Sequence, residues 1–400
     1  MKLPQFNNRP TPLRATYHIN TPMFVAGANQ NEAELTPTSF KGVLRFWWRA
    51  LNWSHIRLES PNKEHALKEL HEQEAKLFGV ASSDVRTQKK LHNGQGACFV
   101  NALSLSGGRI WNYTQNQSGV NYLLGQGLFR GNLIRKAFAQ GQTFTVDLTV
   151  GDDVQGIQDV LRLIGLLGSF GSRSRHGFGS VTLIELACKN IGDDEYQSIA
   201  FEQDLKTALT ELFKRYRCRE NKELPPLSAF YQDTRVDIVG NGNKDALAIL
   251  KDMGDEEQMY RSFGKDGMVG RQTAEKNFKD DHDFALNLFK PKPNTITHPK
   301  RVVFGLPHNY FYSGNSTRHS ANMDADTGRR ASPLFRHVHR LANGNHQAVL
   351  CLLKSEFLHE QSRIDIVAKK DNNRKKLSVS ANADWQTITN LMNRFNGEAL

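Results

Sequence analysis

Two groups of cations carry most of the chemistry legible in this 400-residue chain. Lys41, Arg45 and Arg49 recur every four residues within 35–51, so a helix there lines them along one stripe. Arg173, Arg175 and His176 cluster in 165–180, a segment with five glycines and the serines Ser169, Ser172, Ser174 and Ser180. Ammonium, guanidinium and hydroxyl groups, together with loop amides, all suit phosphate oxygens. The two segments predict a cradle for a sugar-phosphate backbone. A solvated charged helix face and a glycine-rich structural turn are the plainer alternatives.

The first segment has the signals of a helix. Thr36 before Pro37 offers a side-chain cap and a preset first φ. Phe40, Leu44, Trp47 and Leu51 share one face, flanked by Val43 and Ala50, so the aromatics anchor the helix while the cations line the adjoining face. Gly42 costs about 1 kcal/mol in a helix interior, and a close approach by another backbone is one reason to keep it.

The surrounding pattern predicts what positions these groups. Alternation over 13–20, 99–105, 144–150 and 181–186 predicts strands. Helical spacing over 63–78, with Leu67, Leu70 and Leu77 inward, ends at Gly79. A further helix over 152–166 has Asp152 or Asp153 as its cap. Strand, helix, strand, strand, helix, strand is the split βαβ order of a ferredoxin-like domain, the fold shared with RNA-recognition modules. Residues 1–190 fit it with insertions: a polar loop over 82–96 holding Arg86, Lys89 and Lys90, and a finger over 107–127 rich in Gly, Asn and Gln. Trp111, Tyr113 and Tyr122 in that finger either stack on bases or pack internally. The order of elements also argues against a dinucleotide or nucleoside-triphosphate loop. Here a helix precedes the glycine-rich loop and a strand follows it, and GxxxxGK[ST] is missing.

Residues 191–400 read as a second sheet-and-helix domain. Helices are expected over 202–216, 244–260 and 384–395, a linker at 291–293, a short strand over 301–307 and a long polar loop over 313–330. A hairpin is expected over 334–353 around Asn343-Gly344. The fold class is therefore α+β, two ferredoxin-like (RRM-like) domains with insertions.

Lys and Arg number 52 against 41 Asp and Glu, a formal charge of +11, which favours an acidic partner, nucleic acid before membrane. No apolar run is long enough to span a bilayer, the amino terminus lacks a signal-peptide core, and four cysteines without CxxC spacing read as reduced thiols. A soluble, cytoplasmic protein without cofactor is expected.

The segments 40–49, 74–79 and 165–179, with 304–307 and 329–333, together resemble the RAMP superfamily of CRISPR proteins, and within it the first subunit of the type III-B (Cmr) effector complex. The resemblance implies a non-catalytic RNA-binding subunit in antiviral defence, at the filament end, beside the 3′ part of the guide RNA and the 5′ part of the paired target RNA. Its partners would be those RNAs and the other Cmr subunits, with no membrane. Arg329 and Arg330, in the carboxy-terminal matching segment, join the expected RNA-binding set.

Two rivals stand beside this reading. One is a metal-independent endoribonuclease that processes guide RNA, with His18, His55, His92 or His176 as base by residue type. The other is an adaptor that touches only protein neighbours, which leaves the basic excess unexplained. His337 and His339 are two apart on one strand, but no third ligand at defined spacing completes a zinc site, so no metal is expected.

Overall fold

The computed structural model describes residues 10–80, 94, 96–189, 193–264, 266–290, 298–312, 319–358 and 362–400. Arg86, Lys89, Lys90, His92 and the expected linker at 291–293 lie outside the described residues.

Strand β1 (Thr11–Ile19) buries Leu13, Ala15, Tyr17 and Ile19 and turns Arg14, Thr16 and His18 to the opposite face. Helix α1 (Pro37–Glu59) starts on a capping box in which Thr36 accepts from the Ser39 amide at 3.2 Å and Ser39 Oγ accepts from the Thr36 amide at 3.1 Å. Its Phe40, Leu44, Trp47 and Leu51 are buried, as their spacing predicts. Helix α2 (Lys63–Phe78) follows and ends at Gly79, whose φ of 78° explains the glycine. Ala66, Leu70 and Leu77 face inward, but Leu67 is 38% exposed, correcting the expectation.

Strand β2 (Cys98–Leu105), short helix α3 (Ser118–Leu124), strand β3 (Thr143–Val150), helix α4 (Val154–Leu167, capped by Asp153) and strand β4 (Val181–Cys188) complete the first half. With β5 (Gln197–Ser198) the strands order as β2-β3-β1-β4-β5, and every pairing is antiparallel. The finger does not protrude. Trp111 is 7% exposed and packs with Phe24, Phe178 and Tyr113, while α3 lies against the next half.

Helix α5 (Leu205–Arg215) leads to β6 (Arg235–Lys244) and α6 (Ala246–Arg261), then a small hairpin, β7 (Met268–Val269) with β8 (Gln272–Thr273), and α7 (Lys279–Asn287). Next come β9 (His308–Tyr312), β10 (His319–Ala325), the hairpin β11 (Leu334–Arg340) and β12 (His346–Leu352), the hairpin β13 (Arg363–Lys370) and β14 (Asn373–Ser380), helix α8 (Trp385–Asn393) and β15 (Glu398–Ala399). Two expectations fail here. Residues Lys300–Phe304 form a 3-10 turn instead of a strand, and β10 occupies much of the expected 313–330 loop.

The second sheet orders as β11-β12-β6-β15, the order of the first sheet counted from its own first strand. The connections from α6 to β11 and from β12 to α8 each supply two strands to a third antiparallel sheet, β14-β13-β10-β9. The chain is thus an α+β fold with several antiparallel sheets.

The halves are joined at the end of the glycine-rich segment. Edge strand β11 gives its Val338 amide to Ser180 Oγ at 3.1 Å and its Arg340 amide to Thr182 Oγ1 at 3.0 Å, while Asn20 donates to the Val338 carbonyl at 2.7 Å. Apolar packing crosses the same joint, with Trp47 and Phe46 of α1 against Phe335. No helix among the described residues is long and apolar enough to cross a membrane.

Candidate nucleic-acid interface

The glycine-rich segment is packed, not loose. Phe170, Ser172 and Gly179 donate their amides to the carbonyls of Gly179, Phe24 and Pro22, and Ser180 donates its amide to Thr21 Oγ1. Gly171 has φ 87°, and a Cβ there would meet the Phe24 carbonyl oxygen at 2.2 Å. The expected supply of free amides is therefore largely used inside the fold. Ser169 lies 3.2 Å from Ser180 Oγ, Ser172 bridges to Phe24, and Ser174 opens the single 3-10 turn Ser174–His176.

Arg173, just before that turn, and Arg175 and His176 within it point in different directions. Arg175 points to α1: its guanidinium stands 5.7 Å over Phe46 and 4.4 Å over Phe335 and donates to the Ser332 carbonyl. Burial lowers it to about 10, so it is still a cation at neutral pH. His176 turns inward. Burial first, then the charge of Arg336, holds its pKa well below the usual histidine value, and its Nδ1 has no hydrogen-bond partner among the described residues.

Arg173, with φ 62°, turns the other way, toward Gly125 of the finger. There it joins cations from the second half. Arg336 of β11, 2% exposed, places Nη2 2.7 Å from Glu257 Oε2, and Arg261 at the end of α6 donates to Glu257 Oε1. Burial alone would push the Glu257 carboxyl up. Arg336, Arg261 and His176 outweigh it and bring the carboxyl down to about 2. Burial lowers Arg173, and the nearby charges of Arg261 and Arg329 lower it further. Arg173, Arg261 and Arg336 thus surround one carboxylate, a surplus of two positive charges before exposed Arg329 is counted. The Nε of Arg261 is buried without an acceptor among the described residues.

The finger forms one wall of this cluster because two glycines let helices touch. A Cβ on Gly119 of α3 would lie 2.0 Å from the Lys251 carbonyl oxygen, and one on Gly254 of α6 would lie 2.0 Å from the Gly119 carbonyl oxygen. Tyr122, one turn beyond Gly119, consequently stands within electrostatic reach of Arg173, Arg261 and Arg336.

On α1 the stripe is partly neutralised. Arg45 Nε and Arg49 Nη1 donate to Glu74 Oε1 of α2 at 2.7 and 2.5 Å, so two cations share one carboxylate that is only 4% exposed. Each arginine side chain keeps about a third of its surface in solvent, at 35% and 34%. Lys41 is half-buried near Cys98, and burial lowers its pKa. Gly42 is exposed, and a Cβ there meets nothing within 4 Å, so no backbone approach among the described residues accounts for the glycine.

The expected residues therefore sort into three places. Arg45, Arg49 and Gly42 hold one outer face, and Arg175 flanks the same helix across Phe46. Arg173 and Arg329 meet at the cluster with Arg261 and Arg336, two residues that spacing alone did not single out. Arg330 is held locally, donating to the Phe357 carbonyl at 3.1 Å and Thr327 Oγ1 at 2.8 Å. Of the histidines considered as bases, His18 bonds to Asn20 at 2.9 Å and His55 lies 3.5 Å from Glu59. His337 and His339 are both buried with ring centroids 5.9 Å apart, and no group of three His, Cys, Asp or Glu among the described residues is placed to hold a metal ion.

Residues 16–182 match the family model described as RAMP superfamily. No curated protein matches the chain. Among solved structures, the chain is similar to the crystal structure of Cmr1 from Pyrococcus furiosus in its apo form. The identity is 15%, the TM-score is 0.54, and the likeness covers 97% of this chain and 98% of that one. It is a likeness of fold.

Proposed function

We propose that this chain, a RAMP superfamily protein through residues 16–182, is a non-catalytic RNA-binding subunit of a type III-B (Cmr) CRISPR effector complex. The observation that carries the reading is the surplus of guanidinium groups around Glu257, reaching from buried Arg336 through Arg261 and Arg173 to exposed Arg329. Unbalanced buried cations are costly unless an anion completes them, and a phosphodiester is the anion that a basic chain of this kind meets. The outer face of α1 supplies a second contact through Arg45, Arg49 and the open surface at Gly42. Contacts of this kind grip backbone and carry no sequence information, as a subunit that accepts any guide requires.

Residues 1–190 and 191–400 are then two ferredoxin-like units, each with β-α-β-β-α-β order and the same strand sequence across its sheet, with the third sheet as insertion. Within the complex the chain would sit at the filament end, beside the 3′ part of the guide RNA and the paired target RNA, in antiviral defence in the cytoplasm. Reconstitution tests this: the chain should co-purify with guide-loaded Cmr subunits, and the Arg173→Ala/Arg261→Ala variant should lose guide-dependent association. Equal association of variant and parent would contradict it.

A further inference from the structure

Among the described residues, no helix covers one face of the third sheet. Ala321, Met323, Ile364 and Ile366 point to the side closed by Phe284 and Leu288 of the α7 region. The alternate residues form the other face. Pairing places Ser320 opposite Lys369 and Lys369 opposite Arg374, and in the next row Asn309 opposite Asn322, with Lys376 beyond Val367. Amides and a hydroxyl on β9 and β10 thus adjoin cations on β13 and β14, and Asp324 stands opposite Asp365 in the row beyond.

The hairpin tip concentrates that charge. Five of the eight residues 369–376 are Lys or Arg, against Asp371 alone. Lys369, Lys370 and Arg374 are exposed and make no ion pair among the described residues; Lys369 and Arg374 lie on the open face and Lys370 at the tip on the other side, whereas Lys376 bonds to Asp365 at 2.8 Å and Lys375 lies over Phe289. At the tip Lys369 and Arg374 stand side by side on this face without a carboxylate partner among the described residues, an arrangement that suits phosphate oxygens. These cations, with the amides and hydroxyl beside them, serve the phosphates and sugar hydroxyls of a nucleic-acid strand.

We infer that the uncovered face of the third sheet, with its basic hairpin, binds single-stranded RNA as a contact separate from the arginine cluster. Strands about 4.8 Å apart make a shallow platform wide enough for an extended strand. Binding there is by backbone and does not select sequence.

The test uses the full chain and fluorescence anisotropy with labelled single-stranded RNAs of about 10 and about 40 nucleotides, the shorter filling one site only. The triple variant Lys369→Glu/Lys370→Glu/Arg374→Glu changes exposed side chains, and an unaltered melting curve checks its fold. It should bind the longer RNA about tenfold more weakly, with a salt slope smaller by about 2, and bind the shorter RNA as the parent does. Photo-crosslinking with thiouridine-substituted long RNA should label peptides from 363–380. Unchanged affinity for the longer RNA overturns the inference and leaves the hairpin to an acidic protein surface. The inference rests on its own residues: Arg173→Ala/Arg261→Ala is expected to weaken both RNAs. If that variant binds normally while the hairpin variant fails, the hairpin site stands and the cluster reading falls.

Discussion

Replacing Gly42 separates stability from binding at one position. A glycine in a helix interior costs about 1 kcal/mol relative to alanine, and the open space around it means that a methyl group clashes with nothing among the described residues. Gly42→Ala should therefore raise unfolding free energy by about 0.5–1 kcal/mol, read from urea denaturation, with no compensating loss of packing. Gly42→Leu keeps nearly the same helix propensity but raises a side chain beside Arg45 and Arg49, where a phosphodiester would approach. Its affinity for single-stranded RNA should fall about tenfold, or about 1.4 kcal/mol, while the fold is retained. Parent-like RNA affinity in the leucine variant would show that no strand lies on this face. A less stable alanine variant would show that the chain itself requires the glycine.

Glu74→Gln removes the carboxylate shared by Arg45 and Arg49, so stability should fall by about 1.5–3 kcal/mol while RNA affinity holds or rises, since both cations are freed. A drop in RNA affinity with intact fold would contradict this. Stability should also decline on acidification in two stages, followed by thermal melts across pH. His176, His337 and His339 are depressed by burial, His339 to about 4, so the unfolded chain takes up protons first as pH falls below about 6.5, at about 1.4 kcal/mol per unit for each histidine. Glu257, brought down to about 2, supports the fold above the ordinary glutamate range, and that support is lost as pH falls from about 4.3 toward 2. A stability flat from neutral pH to about 4 would contradict the buried neutral histidines. Labelled repeat RNA incubated with the isolated protein should stay intact with and without a divalent chelator; a discrete cut would favour the endoribonuclease reading.

Local signals in the sequence were sufficient for the elements of the first half. The Thr36-Pro37 start, the Phe40–Leu51 face, the Asp153 cap and four alternating strands all lie where pattern puts them, because each is set by short-range chemistry. Contacts at long sequence separation were not legible. Nothing near Arg45 in the chain announces Glu74 of α2, and nothing near Arg173 announces Arg261 or Arg336. The glycines of 165–180 read as freedom but serve close packing at the joint between sheets. The finger's polar composition hid Gly119, whose contact with Gly254 draws α3 onto α6. The run of five cations over 369–376 was visible in composition and is a signal that a scan for charge density finds.

The most direct measurement is equilibrium binding of single-stranded RNAs of several sequences, across salt, to the full chain and to Arg173→Ala/Arg261→Ala/Arg329→Ala. The expected result is a loss of tenfold or more, equal for every sequence, with the salt slope reduced by about 2. An unchanged affinity and slope in a correctly folded variant would mean that the surplus arginines around Glu257 hold the protein together and grip no nucleic acid.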